Sequence, residues 1–270
     1  MLENLKKSFT MKLILIIVIV WIILALVFGF TDLEISIAVV DESSEWGIFG
    51  RGYGEVPGYG LIAIALSALI GSYNKDIKKQ KIPAYVILAI GIILFILGII
   101  DNSQDLILDG GSISICLIAF LAITFNKDWK KYQKISAVII ILAVINPLIF
   151  VQITKILSGR IRFRDLIVPG YTDYTPWFLP PGPTSSGRSF PSGHTAMGFM
   201  FLPLLILVKG RKLKDPIRII LTILVLGWAI FVGLSRIVIG AHYASDVLFS
   251  AMMASVITVL LYRKYFIEKS

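Results

Sequence analysis

His194 and His242 are the only two histidines in this chain of 270 residues, and each lies in a short polar cluster at the edge of a long apolar run. An imidazole can act as nucleophile, base or acid near neutral pH, so both positions read first as chemistry. His194 closes the string PSGH that begins at Pro191, and His242 lies in SRIVIGAHYASD, from Ser235 to Asp246. A basic stretch, KILSGRIRFRD from Lys155 to Asp165, precedes them. His242 and Asp246 are four residues apart at the expected start of a helix. That spacing puts them on one face, with the carboxylate aimed back at the ring. A carboxylate so placed can take the Nδ1 proton and leave Nε2 with its lone pair, as a nucleophile or base requires. The bland alternative is a polar pair that holds helices together. It must also account for Arg236 six residues before His242 and for a second histidine at another helix mouth.

Lys155, Arg162 and Arg236 add three cations, and a phosphate group suits them: Arg binds phosphate oxygens as a fork and Lys as a point charge. Ser192 and Gly193 fall where a helix should begin, and a helix N-terminus offers unpaired N–H groups to an oxyanion. Ser192 can equally be an ordinary N-cap. Arg160, Arg164 and Arg188 are expected to extend toward lipid headgroups, or to touch a headgroup or a second phosphate.

The elements that carry these residues must cross a membrane. The chain is 57% hydrophobic with a mean hydropathy of +0.85, too apolar to be covered by its own polar surface. A helical crossing takes roughly 17–25 apolar residues, and eight candidate spans occur: Leu13–Phe30, Gly58–Tyr73, Ala84–Ile100, Gly111–Phe125, Ile135–Ile156, Thr195–Val208, Ile217–Leu234 and Ala241–Tyr262. The expected fold is therefore an all-α multi-pass transmembrane bundle. Pro147 should kink the fifth span.

Basic residues mark alternate connections, which orients the chain by the positive-inside rule. Lys6, Lys7 and Lys12 precede the first span, and Lys75, Lys78, Lys79 and Lys81 follow the second. Lys127, Lys130, Lys131 and Lys134 follow the fourth, and Lys209, Arg211, Lys212, Lys214 and Arg218 the sixth. Arg263, Lys264 and Lys269 follow the last. Both termini are then cytoplasmic, and every polar cluster maps to the external face of a plasma membrane. The net charge of +9 is mainly this orientation signal together with affinity for anionic headgroups, not a sign of nucleic-acid binding. The first span is too long for a secretory leader and no cleavage pattern follows it, so it reads as a retained anchor.

The longest non-spanning stretches, Thr31–Pro57 and Leu157–Ser192, should be external loops, the first acidic through Asp32, Glu34, Asp41, Glu42, Glu45 and Glu55. Trp46, Tyr53, Tyr171, Tyr174 and Trp177 suit the headgroup belt. Cys116 is the only cysteine, so no disulfide or cysteine-rich metal site forms within one chain.

With these clusters in place, the chain resembles the type 2 phosphatidic acid phosphatase (PAP2) superfamily of integral-membrane lipid phosphatases. Lys155 and Arg162 have the spacing of the first motif, PSGH is complete, and Ser235, Arg236, His242 and Asp246 match the third; Phe163 stands where the family usually has proline. The resemblance implies a six-span core, here Ala84–Tyr262 within residues 84–270, and an added N-terminal hairpin within residues 1–83. It implies that His242 attacks phosphorus, Asp246 orients it and His194 protonates the leaving group. Lys155, Arg162, Arg236 and Ser192, with Gly193 and Ser235 in the same motifs, would hold phosphoryl oxygens, with no metal and no cofactor. The implied partner is a lipid phosphate: phosphatidate, phosphatidylglycerophosphate or a polyprenyl diphosphate. Two alternatives stay open, a phosphotransferase of the same superfamily and a transporter that uses the polar helix ends as an anion site.

Overall fold

Hydrocarbon offers no partners to backbone N–H and C=O groups, so a spanning chain must satisfy them within each segment. Helices do this throughout: the computed structural model describes residues 2–268, with side chains from residue 7 onward, and no strand occurs among them. Lys269, counted above with the cytoplasmic charges, lies outside the described residues, as does the side chain of Lys6. The helices are α1 (Leu2–Val39), α2 (Glu45–Tyr53), α3 (Val56–Gly71), α4 (Ile82–Ile100), α5 (Gln104–Thr124), α6 (Gln133–Ala143), α7 (Val151–Ser158), α8 (Gly193–Gly198), α9 (Leu205–Val208), α10 (Pro216–Val238) and α11 (Ala244–Phe266).

Seven helical segments among the described residues are long and apolar enough to cross a bilayer, and the chain is a multi-pass membrane protein. The eighth expected span is a shorter segment, Gly193–Val208. It is broken into α8, a 3-10 stretch Phe199–Leu204 containing Pro203, and α9. A π-helical stretch, Val144–Phe150, accommodates Pro147, since a proline inside a helix removes one hydrogen bond and crowds the preceding turn.

Two expectations about the first external loop are overturned. Helix α1 does not stop where its apolar run stops, at Phe30, but continues to Val39 and carries Asp32 with it, fully buried. Residues 45–53 are helical as well, begun by Ser44, whose hydroxyl accepts the Gly47 N–H. Contacts group the chain into two units, Met1–Gly54 with Val144–Ser270, and Glu55–Ala143. The first two helices thus group with the C-terminal part.

In the first unit α11 packs chiefly along α1, and α10 along α2 and α8. In the second, α3 to α6 pack around one another, and a polar clamp joins their connections. Trp129 is fully buried; its N–H donates to the Gln80 Oε1 at 2.7 Å and its indole Nε1 to the Thr124 Oγ1 at 3.0 Å. Gln80 donates through Nε2 to Asp128 Oδ1, 2.8 Å away, and the Lys81 ammonium lies 4.0 Å over the indole ring. Trp129→Ala removes the centre of this clamp and should cost about 3–5 kcal/mol of stability, read by denaturation in micelles, while Trp129→Phe should cost less.

Candidate active site

Three stretches of the first unit bring the predicted residues together. Helix α7 ends at Gly159, which adopts φ +60 and donates its N–H to the Lys155 carbonyl at 3.2 Å. A side chain is disfavoured at that dihedral and would also collide with the Gly182 carbonyl. The reversal lets the following loop fold back on the helix: Gly182 N–H bonds Ser158 O at 2.9 Å and Ser189 N–H bonds Arg160 O at 2.9 Å. Ser192 caps α8, accepting the Thr195 N–H at 3.3 Å and the Thr195 hydroxyl at 2.9 Å. Its own N–H donates to the Asp246 carbonyl at 3.1 Å, which ties the PSGH string to α11.

The third stretch carries His242. Helix α10 ends near Arg236, whose carbonyl accepts the N–H groups of Ala241 and His242, both at 3.1 Å. Gly240, at φ +64, makes the reversal between them, and its carbonyl accepts the Arg164 N–H at 3.1 Å. His242 was expected inside the last helix, but α11 begins at Ala244. The reason is Asp246, whose Oδ2 reaches back to the Tyr243 N–H at 2.9 Å, as the third residue of a helix does in a capping box. His242 therefore sits just before the helix, 2% exposed, with Nδ1 3.5 Å from the same Oδ2. At that distance Nδ1 faces the carboxylate without a formed hydrogen bond.

Burial pushes the His242 imidazole well below its ordinary range, to about 3; Asp246 opposes that shift, and Arg236 and Lys155 add to it. Those two cations are thus electrostatic neighbours of the ring. Arg236 is 4% exposed and Lys155 half-buried. Arg162 is half-buried, 4.0 Å from Asp165, and within electrostatic range of Asp246 and of Arg51. His194 is half-buried, its Nε2 3.1 Å from the Arg51 carbonyl at the end of α2. The Ser235 hydroxyl donates to Val232 O at 2.7 Å. Phe163, in the place of the family proline, stacks on Tyr171 with ring centroids 5.4 Å apart and leaves the 3-10 turn Phe163–Asp165 intact.

The largest departure from the sequence reading is Arg160. It was expected at the headgroups, and it is completely buried. Its NH1 donates to Asp246 Oδ1 at 2.7 Å and to the Ser245 hydroxyl at 2.8 Å. Its NH2 donates to Asp32 Oδ2 at 3.0 Å and to the Tyr174 hydroxyl at 3.5 Å, and Nε to the Thr175 carbonyl at 2.9 Å. All five donors of the guanidinium are engaged, and its carbon lies 4.0 Å from the Tyr243 ring centroid. Tyr174 and Trp177, both half-buried, also make inward contacts. Trp177 donates to the Ala25 carbonyl at 2.8 Å and packs on Phe249, with ring centroids 4.7 Å apart. Arg164 and Arg188 remain half-buried and exposed, respectively.

Residues 136–269 match the family model of the PAP2 superfamily. The chain carries a PAP2 superfamily domain. No curated protein and no solved structure matches the chain. Every residue of the three motifs, from Lys155 to Asp246, lies inside the matched PAP2 region, whereas Asp32 and Arg51 lie outside it. A domain of this kind implies activity of the phosphatase or phosphotransferase type. Among the described residues no group of three or more His, Cys, Asp and Glu is arranged to hold a metal ion.

A buried neutral imidazole has a stability consequence. The unfolded chain takes up a proton at His242 near pH 6.5, whereas the folded chain resists until about 3, so folding stability falls as the pH drops through that window. The thermal midpoint of wild type should therefore fall more steeply between pH 6.5 and 4 than that of His242→Gln, measured side by side in the same detergent.

Proposed function

We propose that the protein hydrolyses a phosphomonoester or diphosphate of a membrane lipid through a phosphohistidine on His242. The observation that carries this reading is the surroundings of one ring. The His242 imidazole is buried and neutral, has a carboxylate 3.5 Å from Nδ1, and is under the influence of Arg236 and Lys155. With Nδ1 protonated toward Asp246, the Nε2 lone pair attacks phosphorus, and the bond from phosphorus to the leaving oxygen breaks as the P–N bond forms. His194 in its protonated form gives the leaving oxygen its proton. Water, deprotonated by His194, then attacks phosphorus, the P–N bond breaks, and inorganic phosphate departs.

Arg162, Arg236 and Lys155 supply fixed positive charge to the phosphoryl oxygens, and phosphoryl transfer depends chiefly on such positioning and charge stabilisation. The backbone N–H of Gly193, in the first turn of α8, supports the same oxygens. The Ser192 and Ser235 hydroxyls have intramolecular partners and hold their segments in register with the site. Lipid substrates follow from the setting: the motif residues sit at the ends of membrane-spanning helices, with Arg236 in the last turn of α10 and Asp246 in the first turn of α11. The distribution of lysine and arginine in the connections favours cytoplasmic termini and a site at the external face of the plasma membrane.

Purified protein in EDTA should release inorganic phosphate from at least one of phosphatidate, phosphatidylglycerophosphate and a polyprenyl diphosphate, with no acceptor added. A strict need for an alcohol acceptor would instead identify a phosphotransferase. His242→Ala should abolish turnover and the acid-labile labelled phosphoenzyme together; a labelled phosphoenzyme persisting in that variant would falsify the assignment of the nucleophile.

A further inference from the structure

Asp32 and Arg160 take no part in the reaction just described, yet they form the most completely buried charge cluster among the described residues, both side chains showing no exposure. Buried charges are costly unless paired, and this pairing runs directly to the catalytic carboxylate. Asp246 Oδ1 is held by Arg160 at 2.7 Å. Its Oδ2 accepts the Ser189 hydroxyl and the Tyr243 N–H, and faces His242 Nδ1. Arg160 therefore sets the plane of the carboxylate from the side away from the imidazole.

Asp32 in turn sets Arg160. One of its oxygens, Oδ2, takes the Arg160 NH2 at 3.0 Å and the Ser245 hydroxyl. The other, Oδ1, accepts the Ser245 backbone N–H at 3.0 Å, a donor that the first turn of α11 leaves without an intrahelical partner. A residue of α1 thus caps the helix that bears Asp246 and also splits the guanidinium between two carboxylates. Without the charge on Asp32, both amino groups of Arg160 would close on Asp246 as a two-pronged fork. The carboxylate would then turn away from Nδ1.

We propose that Asp32, through Arg160, is a positioning residue for His242, one that keeps the ring in the tautomer with its proton on Nδ1 and its lone pair on Nε2. Helix α1, which lies outside the matched family region, is thereby part of the working site. The proposal rests on the phosphatase reading for the use made of the lone pair, but the tautomer itself is observable without turnover.

The chain has two histidines, so protein labelled with 15N-histidine and reconstituted in nanodiscs shows two imidazoles, which His194→Gln assigns. Wild type should show His242 neutral and protonated on Nδ1. Asp32→Asn should show a mixture of tautomers and a kcat lowered by about 10–100-fold, the range that outer partners of working imidazoles command at metal sites. Its KM should stay within about threefold, because the phosphate-binding cations are untouched. Asp32→Glu, which restores the charge, should recover part of both. Should Asp32→Asn fail to fold, Ser245→Ala keeps all three charges, removes the bridging hydroxyl, and should shift signal and turnover the same way by a smaller amount. Unaltered imidazole signals in these variants, with or without a loss of turnover, would overturn the proposal and leave the phosphatase reading standing. Wild type with the Nδ1-protonated signal but no phosphate release from any lipid phosphate would overturn the phosphatase reading alone.

Discussion

Charge removed from water must find charge of the opposite sign, and in this protein that requirement is concentrated on the Arg160 guanidinium. Two carboxylates and three neutral acceptors converge on it, drawn from α1, from the loop after α7 and from α11. Removing one partner of such a buried pair typically costs about 3–5 kcal/mol. That penalty makes the arrangement of these segments nearly all-or-none. The architecture around His242 follows from it: the start of α11 is capped by Asp32, Asp246 is fixed at both oxygens, and the Tyr243 ring covers the cation.

The site is also polarised. Asp246 acts on the His242 ring with one sign, while Arg236 and Lys155 act on it with the other. In the proposed phosphatase reading this is the polarity that attack on phosphorus needs, with Asp246 supporting the ring and the cations steadying the phosphoryl oxygens. The broken segment Gly193–Val208 belongs to the same economy of form. Its first turn must present His194 and still be fastened to α11, and the Ser250 hydroxyl does so by donating to the Ser192 carbonyl at 2.7 Å.

Much of this was legible in the chain. The i, i+4 spacing of His242 and Asp246 predicted their meeting, and the three polar clusters at the ends of apolar runs predicted a shared site. Seven of the eight expected spans were readable, because a crossing needs a minimum length of apolar residues; the eighth, Gly193–Val208, is shorter and broken around Pro203. What stayed hidden has physical reasons. Asp32 looked like a loop acid because the apolar run ends at Phe30, yet helix continuation depends on backbone pairing and tertiary partners, not on hydropathy. Arg160 looked like its neighbours Arg162 and Arg164, since an irregular loop has no periodicity to show which of three arginines turns inward. The carbonyl of Arg51 beside His194 gives no sequence signal at all.

That last contact has a consequence for how the site can vary. The acceptor facing His194 Nε2 is a main-chain oxygen at the end of α2, so it is the same whatever side chain position 51 bears. Evolution can exchange the residue freely, even reverse its charge, without touching the imidazole's companion. Only a change in the path of the backbone, by insertion, deletion or a proline in that turn, can take it away.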